Sequence, residues 1–288
     1  MKFMVDFRTF SIFQCIPSVV KIAHISDLHF GRANEAALDA LILAINSERP
    51  DLIAITGDFT QTGARREFEA ASLFLASLSA PILAVPGNHD TPVYNLPLRF
   101  LKPWARFEKH IGAAQLQIAT AGDTVVIGLN SARRARMRFN WSYGKLSRKI
   151  IEVAASIAKR ESAEGKIVFV AAHHPFEKGP NRAGAEIVGN GAYALQRFAQ
   201  CGVSAVMTGH VHLSAAGPLA ITQNQILSIQ CGASGGARER GEAAGFGLVT
   251  IEGGDDVSID YRHFDHNAYR QGRSFVFSRY GSQWNKTH

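Results

Sequence analysis

The sequence predicts an α/β fold with sheets covered on both faces. Short, continuous apolar runs recur along the chain, and helical-period apolar stripes fall between them. A further observation places the chemistry: His, Asp and Asn gather where several of these runs end. The strand candidates, in order, are 19–26, 51–56, 81–85, 124–129, 166–171, 203–207, 225–229 and 247–251. Most are apolar without alternation, as in strands buried on both sides. Leu38, Leu41, Ile42 and Ile45 form one helical stripe, and Phe68, Ala71, Leu75 and Leu78 a second. Leu146, Ile150, Val153 and Ile157 form a third, and all three read as core packing.

Two regions break the alternation. Residues 91–120 carry Pro92, Pro97 and Pro103, and residues 130–145 carry Arg133, Arg134, Arg136, Arg138 and Lys145. The first is helix-like and irregular, and both are expected to be cap-like loops over the site. From about Asp260 only "SFVFSRYGSQW" gives a weak strand signal. The expected organisation is an extension over 1–18, one main domain over 19–265 and a tail over 266–288.

At 288 residues the chain can bury a sizeable core, and 46% hydrophobic with 19% charged residues suits a globular protein. A net charge of +7 favours anionic partners such as phosphates, nucleic acid or an acidic membrane surface. The three cysteines, Cys15, Cys201 and Cys231, have no short spacing. That argues against a disulfide framework or a thiolate zinc site, and a reducing, cytoplasmic compartment is expected. No run is long enough to span a bilayer as a helix. The N-terminus is partly apolar, but Asp6, Arg8, Gln14 and Pro17 interrupt it, so it reads as a non-signal extension.

Five strand candidates run directly into polar residues. "HISDLHFG" supplies Asp27 and His29, "AITGDFT" Asp58, and "VPGNHD" Asn88, His89 and Asp90. "FVAAHHP" supplies His173 and His174, and "VMTGHVH" His210 and His212. In open α/β sheets the binding crevice lies outside the carboxyl ends of the strands, so these ends can share one rim. Strand periodicity would put Asp27 on one side with His29, and His210 with His212, each pair pinching a cation. Gly57, Gly87 and Gly209 immediately precede polar residues, where glycine permits sharp turns and close approach. A single His at a strand end usually packs or caps, and Asn-His-Asp can simply close a turn. A set drawn from these motifs, with two carboxylates, one amide oxygen and four imidazoles but no thiolate, however, suits Mn, Fe or Zn rather than Ca or Mg. Seven donors exceed what one catalytic zinc needs, and a carboxylate bridging two ions resolves the excess. Such a centre keeps net positive charge, attracts an anion and can clamp both oxygens of a phosphoryl transfer.

"DLH", "GD", "GNHD", "HH" and "GHVH", in this order, resemble the motifs of the calcineurin-like metallophosphoesterases, from about Lys21 to Val211. The resemblance implies a four-layer αββα sandwich and two divalent or trivalent first-row metal ions. It implies that Asp27, His29 and His212 hold the first ion, that Asn88, His173 and His210 hold the second, and that Asp58 bridges them. It implies that a metal-bridging hydroxide attacks phosphorus while His89, off the metals, assists the leaving or equatorial oxygen and Asp90 orients His89. His173 is taken as the ligand over His174 because the family uses the first His of "HHP". "HISDLHFG" is most similar to the bacterial class III cyclic-nucleotide phosphodiesterases, whereas Asn130 stands where their "LDS" turn has Asp.

The implied activity is hydrolysis of phosphodiesters, of cyclic nucleotides or other small diesters. A nuclease is the first alternative, with the Arg133–Arg138 run touching nucleic-acid phosphates. The second is a pyrophosphatase acting on a nucleotide-linked lipid, with peripheral membrane contact. A non-catalytic scaffold fits less well, since no ligand residue is missing. No oligomeric state can be read from the chain, and a dimer is compatible with it.

Overall fold

The computed structural model describes residues 18–134, 142–178, 187–221, 223–236 and 241–288. Among these, the first half of the chain forms β1 (Val19–Ile25), α1 (Glu35–Glu48), β2 (Leu52–Thr56), α2 (Arg65–Ala76), β3 (Ile82–Val85), α3 (Leu96–Leu101), α4 (Ala105–His110), β4 (Leu116–Ala121) and β5 (Thr124–Leu129). The second half adds α5 (Arg148–Ala163), β6 (Ile167–Ala172), α6 (Gly191–Gln200), β7 (Val203–Thr208), β8 (Ala215–Ala220), β9 (Gln225–Gln230), β10 (Gly245–Glu252), β11 (Asp256–Asp265), β12 (Ala268–Tyr280) and β13 (Gln283–Lys286).

All eight expected strands form. They assemble into two sheets, ordered β13-β12-β11-β10-β1-β2-β3 and β4-β5-β6-β7-β9-β8. Within the first sheet β1, β2 and β3 are parallel, and β5, β6, β7 and β9 are parallel within the second. Every residue of β2, β5, β6 and β7 is buried, the state their unbroken apolar runs predict.

The layers are a four-layer αββα sandwich. Between the sheets, Ile22, Leu52, Val85, Phe169, Met207, Leu227 and Val249 share one core. Leu41, Ile45, Phe68 and Phe107 close the outer face of the first sheet, with α1, α2 and α4 lying on it. Ile151, Ala154, Leu195 and Phe198 of α5 and α6 close the outer face of the second. The Val, Leu, Ile, Phe and Met side chains among these each contribute about 1.5–3 kcal/mol on burial.

The third helical stripe needs correction. Leu146 precedes α5, whose N-cap is Ser147, and Val153 is 40% exposed. The buried face is Ile151, Ala154, Ala155 and Ala158, with Ile150 and Ile157 at its margin. Alanines let the helix approach the sheet closely, and a stripe sought in larger apolar residues passes over them. In α2 the buried face is Phe68, Ala71 and Phe74, while Leu78 follows the helix.

The helix-like region 91–120 holds α3, α4 and most of β4. Arg136, Arg138 and most of the N-terminal extension lie outside the described residues. Residues 266–288 supply most of a hairpin added to the first sheet, with β12 paired to β11 and β13 to β12. Phe277 and Trp284 from this segment enter the inter-sheet core. A boundary at 265 therefore cuts through a β-hairpin. No described helix is long and apolar enough to cross a membrane.

Candidate metal centre

Parallel strands deliver their carboxyl ends to one edge, and five such ends meet here. β1 leads to Asp27 and His29, β2 to Asp58, β3 to Asn88 and His89, β6 to His173, and β7 to His210 and His212. The expected strand periodicity is not what aligns them. Asp27, His29, Asp58, His210 and His212 all have left-handed backbone, with φ of 53°, 50°, 52°, 70° and 57°. The strands end first, and a left-handed residue at each of these positions turns the chain. This is a costly conformation for non-glycine residues, and such strain concentrates at functional sites. Two glycines make the packing fit: a Cβ on Gly87 would overlap the Asp58 carboxylate, and one on Gly209 would overlap Ser26 Oγ.

The donors form two groups. In one, His212 Nε2 lies 3.1 Å from Asp27 Oδ1 and 3.3 Å from His29 Nε2. In the other, His173 Nε2 lies 3.1 Å from Asn88 Oδ1 and 3.2 Å from His210 Nδ1. His210 and His212 thus belong to different groups, against the pairing expected from strand periodicity. Asp58 stands between the groups, its Oδ2 being 3.2 Å from His173 Nε2 and 4.0 Å from His29 Nε2.

The surrounding hydrogen bonds aim these atoms inward. Asp27 Oδ2 accepts from Ser26 Oγ at 2.6 Å and from the His210 backbone N–H at 2.9 Å, so Oδ1 faces the cluster. Asp58 Oδ1 accepts the His89 backbone N–H at 2.8 Å, so Oδ2 faces the cluster. His173 Nδ1 donates to the Thr56 carbonyl at 2.7 Å, which directs the Nε2 lone pair at Asn88 and Asp58. Facing ring nitrogens at these separations repel unless a proton or cation lies between them. The donor set fits cation binding: four overlapping groups, Asp27/His29/His212, Asp27/Asp58/His173, His29/Asp58/His89 and His173/His174/His210, each have ligand atoms within 4.8 Å of one another.

Burial opposes charge here, and neighbours overturn it at Asp27, Asp58 and His173. It would raise the Asp27 carboxyl, but His212, His29 and His173 hold it well below the usual carboxylate range. Asp58 is lowered in the same way by His173, His89 and His29. Burial disfavours the His173 cation, yet Asp58 and Asp27 carry that group up to about 9. His210, desolvated and then repelled by His173, falls to about 4.

His89 and Asp90 do not form the expected pair. Asp90 is fully buried and accepts from the backbone N–H of Gly87 at 2.8 Å and of Thr60 at 2.9 Å, and from Thr60 Oγ1 at 3.0 Å. Its carboxyl is raised to about 6 by burial and then by the charge of Asp58. His89 Nδ1 instead donates to the Gln61 carbonyl at 2.8 Å. Asp90 thus clamps the β2 and β3 loops together, and Gln61 orients His89. Glu67 supports that loop by accepting from the N–H groups of Thr62 and Ala64. Backbone carbonyls leave no trace in residue type, so Gln61 is not legible as a site residue; Thr60, two positions after Asp58, is only a weak signal.

His174 is also tied down. Ser131 Oγ lies 2.8 Å from its Nδ1, and its Nε2 donates to the Ser142 carbonyl at 2.7 Å. Its ring is not turned away, since it lies 4.6 Å from that of His210. His24 sits in the core, bonded through Nε2 to Thr56 Oγ1 at 2.9 Å.

A buried, doubly grouped His/Asp centre on an αββα sandwich defines a metal-dependent phosphoester hydrolase. The model of the calcineurin-like phosphoesterases matches residues 20–214, more than half of the chain, and the protein belongs to that family. The chain is 27% identical to the probable glycerophosphodiester phosphodiesterase GpdQ of Arcobacter nitrofigilis over 210 residues, 66% of this chain and 71% of that protein. It is 35% identical to the glycerophosphodiester phosphodiesterase GpdQ of Enterobacter lignolyticus over 80 residues, 24% of this chain and 29% of that one. A probable cyclic nucleotide phosphodiesterase of Synechococcus is 29% identical over 82 residues, 25% of this chain and 32% of that protein. The chain thus spans under a third of the Enterobacter and Synechococcus proteins. In fold it is similar to a dimetal phosphatase from Danio rerio, with a TM-score of 0.64 at 13% identity, covering 88% of this chain and 98% of that one.

Proposed function

We propose that this protein is a dinuclear metal-dependent phosphodiesterase acting on small phosphodiesters, of the glycerophosphodiester or cyclic-nucleotide kind. The observation that carries the proposal is the placement of Asp58 Oδ2 between the two donor groups. Asp27, His29 and His212 would hold one first-row ion, Asn88, His173 and His210 the other, and Asp58 both. Mn, Fe and Zn suit this mixture of imidazole and oxygen donors. When bound, the ions supply Lewis acidity toward the phosphoryl group and neutralise its charge.

The remaining chemistry falls to the chain. His89 is partly exposed, and its Nδ1–H is committed to Gln61. Its Nε2 is then the atom that carries a proton to the leaving oxygen, in the manner of a general acid. The edge of its ring meets that of His29 at a centroid distance of 5.0 Å, which keeps it beside the cluster. Ser26 and the His210 N–H hold Asp27, and the His89 N–H holds Asp58, so neither carboxylate must reorganise when substrate arrives. The names of the Arcobacter, Enterobacter and Synechococcus relatives support diesters over monoesters.

The test is a panel of bis(4-nitrophenyl) phosphate, glycerophosphoethanolamine, cyclic AMP and 4-nitrophenyl phosphate, assayed with Mn and with a chelator. Metal-dependent turnover of diesters above the monoester is expected. Turnover confined to the monoester, or undiminished by chelation, would overturn the proposal.

A further inference from the structure

Beside the metal centre the second sheet carries a cavity of about 660 Å³. Its lining includes Pro175, Leu213, Ala215, Gly217, Leu219 and Ser228. Two of these join it to the site: Pro175 follows His173 and His174 directly, and Leu213 follows His212. The cavity therefore begins where β6 and β7 release their histidines.

Its floor follows from sheet register. Gly217 pairs with Ser228 and Leu219 with Ile226, so these four share one face of β8 and β9. Ile226 on that face packs against the α5 and α6 cluster, and Leu219 lies partly against it. Toward the metal centre the same face is lined by Ala215, Gly217 and Ser228, whose small side chains leave the volume open. A Cβ placed on Gly217 would meet nothing within 4 Å. At the rim, Arg273 donates to the Ser214 carbonyl at 2.8 Å and pairs with Glu242 at 2.7 Å, fixing the strand that follows His212. A volume of this size, walled by Leu and Pro over small residues with Glu177, Lys178 and Gln230 also in its lining, suits an organic group that is mainly apolar.

We infer that this cavity is a subsite for an apolar ester arm of the substrate, an alkyl or acyl chain attached to the phosphodiester whose phosphorus sits at the metal centre. The inference rests on the phosphodiesterase reading and extends it, beyond glycerol and nucleoside esters, to diesters with one apolar alcohol. The phosphate supplies the anion for the cationic centre, and the chain leaves water for the small-residue floor.

The test uses Mn-loaded protein and 4-nitrophenyl diesters bearing methyl, butyl or octyl groups. In the wild type kcat/KM should rise with chain length, the octyl ester exceeding the methyl ester by about tenfold or more. Gly217→Trp, and Gly217→Leu as a smaller wedge, should abolish that advantage while methyl-ester turnover and melting temperature hold. Calorimetry with octyl phosphate and methyl phosphate reads the cavity without turnover, and the wild type should bind the octyl compound more tightly. Equal kcat/KM across the series together with equal binding of the two phosphates would overturn the subsite, as would an octyl preference that survives both Gly217 variants. Hydrolysis of none of the esters, with octyl phosphate still preferred, would sink the phosphodiesterase reading and leave the subsite standing.

Discussion

The first sheet has two halves that differ in kind. β1, β2 and β3 run parallel, are nearly all buried, and end in Asp27, His29, Asp58, Asn88 and His89. β10 to β13 run antiparallel on the other side of β1 and contribute none of the proposed ligands. Both halves feed the same inter-sheet core. Parallel strands must point their carboxyl ends the same way, so successive loops accumulate at one edge. A meander sends alternate loops to opposite edges and cannot concentrate donors so readily. Chemistry and added core are thereby divided within one sheet.

The largest effect should come from the parallel half. Asp58→Asn removes the charge between the two donor groups and should lower kcat/KM by about 10³-fold or more, with less bound metal by elemental analysis. Retained activity would remove the basis for a shared carboxylate. His89→Asn should lower kcat by about 10²- to 10⁴-fold while metal content stays at the wild-type level. A loss of metal in that variant would instead make His89 a ligand.

The antiparallel half should answer in stability. Phe277→Ala empties a position that is 1% exposed, costing about 3–5 kcal/mol in denaturant unfolding, yet kcat per folded molecule should be unchanged. A large fall in kcat would break the division between the halves. The smallest effect is expected at Ser26→Ala, which deletes the 2.6 Å bond to Asp27 Oδ2 and should weaken metal binding by about 10- to 100-fold in chelator competition.

The same contrast governs what could be read from the chain. Strands buried on both faces, such as "LIAIT" and "IVFVAA", are continuous apolar runs and declare themselves. β12 is mostly exposed or half-buried, with Arg and Gln through its first half, so only its "SFVF" end carried a signal. β8, "AAGPLA", is made of residues that favour no strand and forms because β9 offers an open edge. The nine polar residues of the candidate site were visible because they sit in short motifs at apolar-run ends, and the structure brings them to one rim. Their alignment is not legible in the chain: left-handed turns, rather than strand alternation, bring Asp27 to His29. The partners of His89 and Asp90 were hidden because they depend on a backbone carbonyl and on loop packing.

Anomalous diffraction from Mn-loaded crystals, paired with elemental analysis of the same preparation, decides whether the seven proposed side chains hold two metal ions. Two anomalous peaks are predicted, one within bonding distance of Asp27, His29 and His212, the other of Asn88, His173 and His210, with Asp58 touching both. A single peak, or none, in protein that still hydrolyses phosphodiesters at full rate would contradict the two-ion centre.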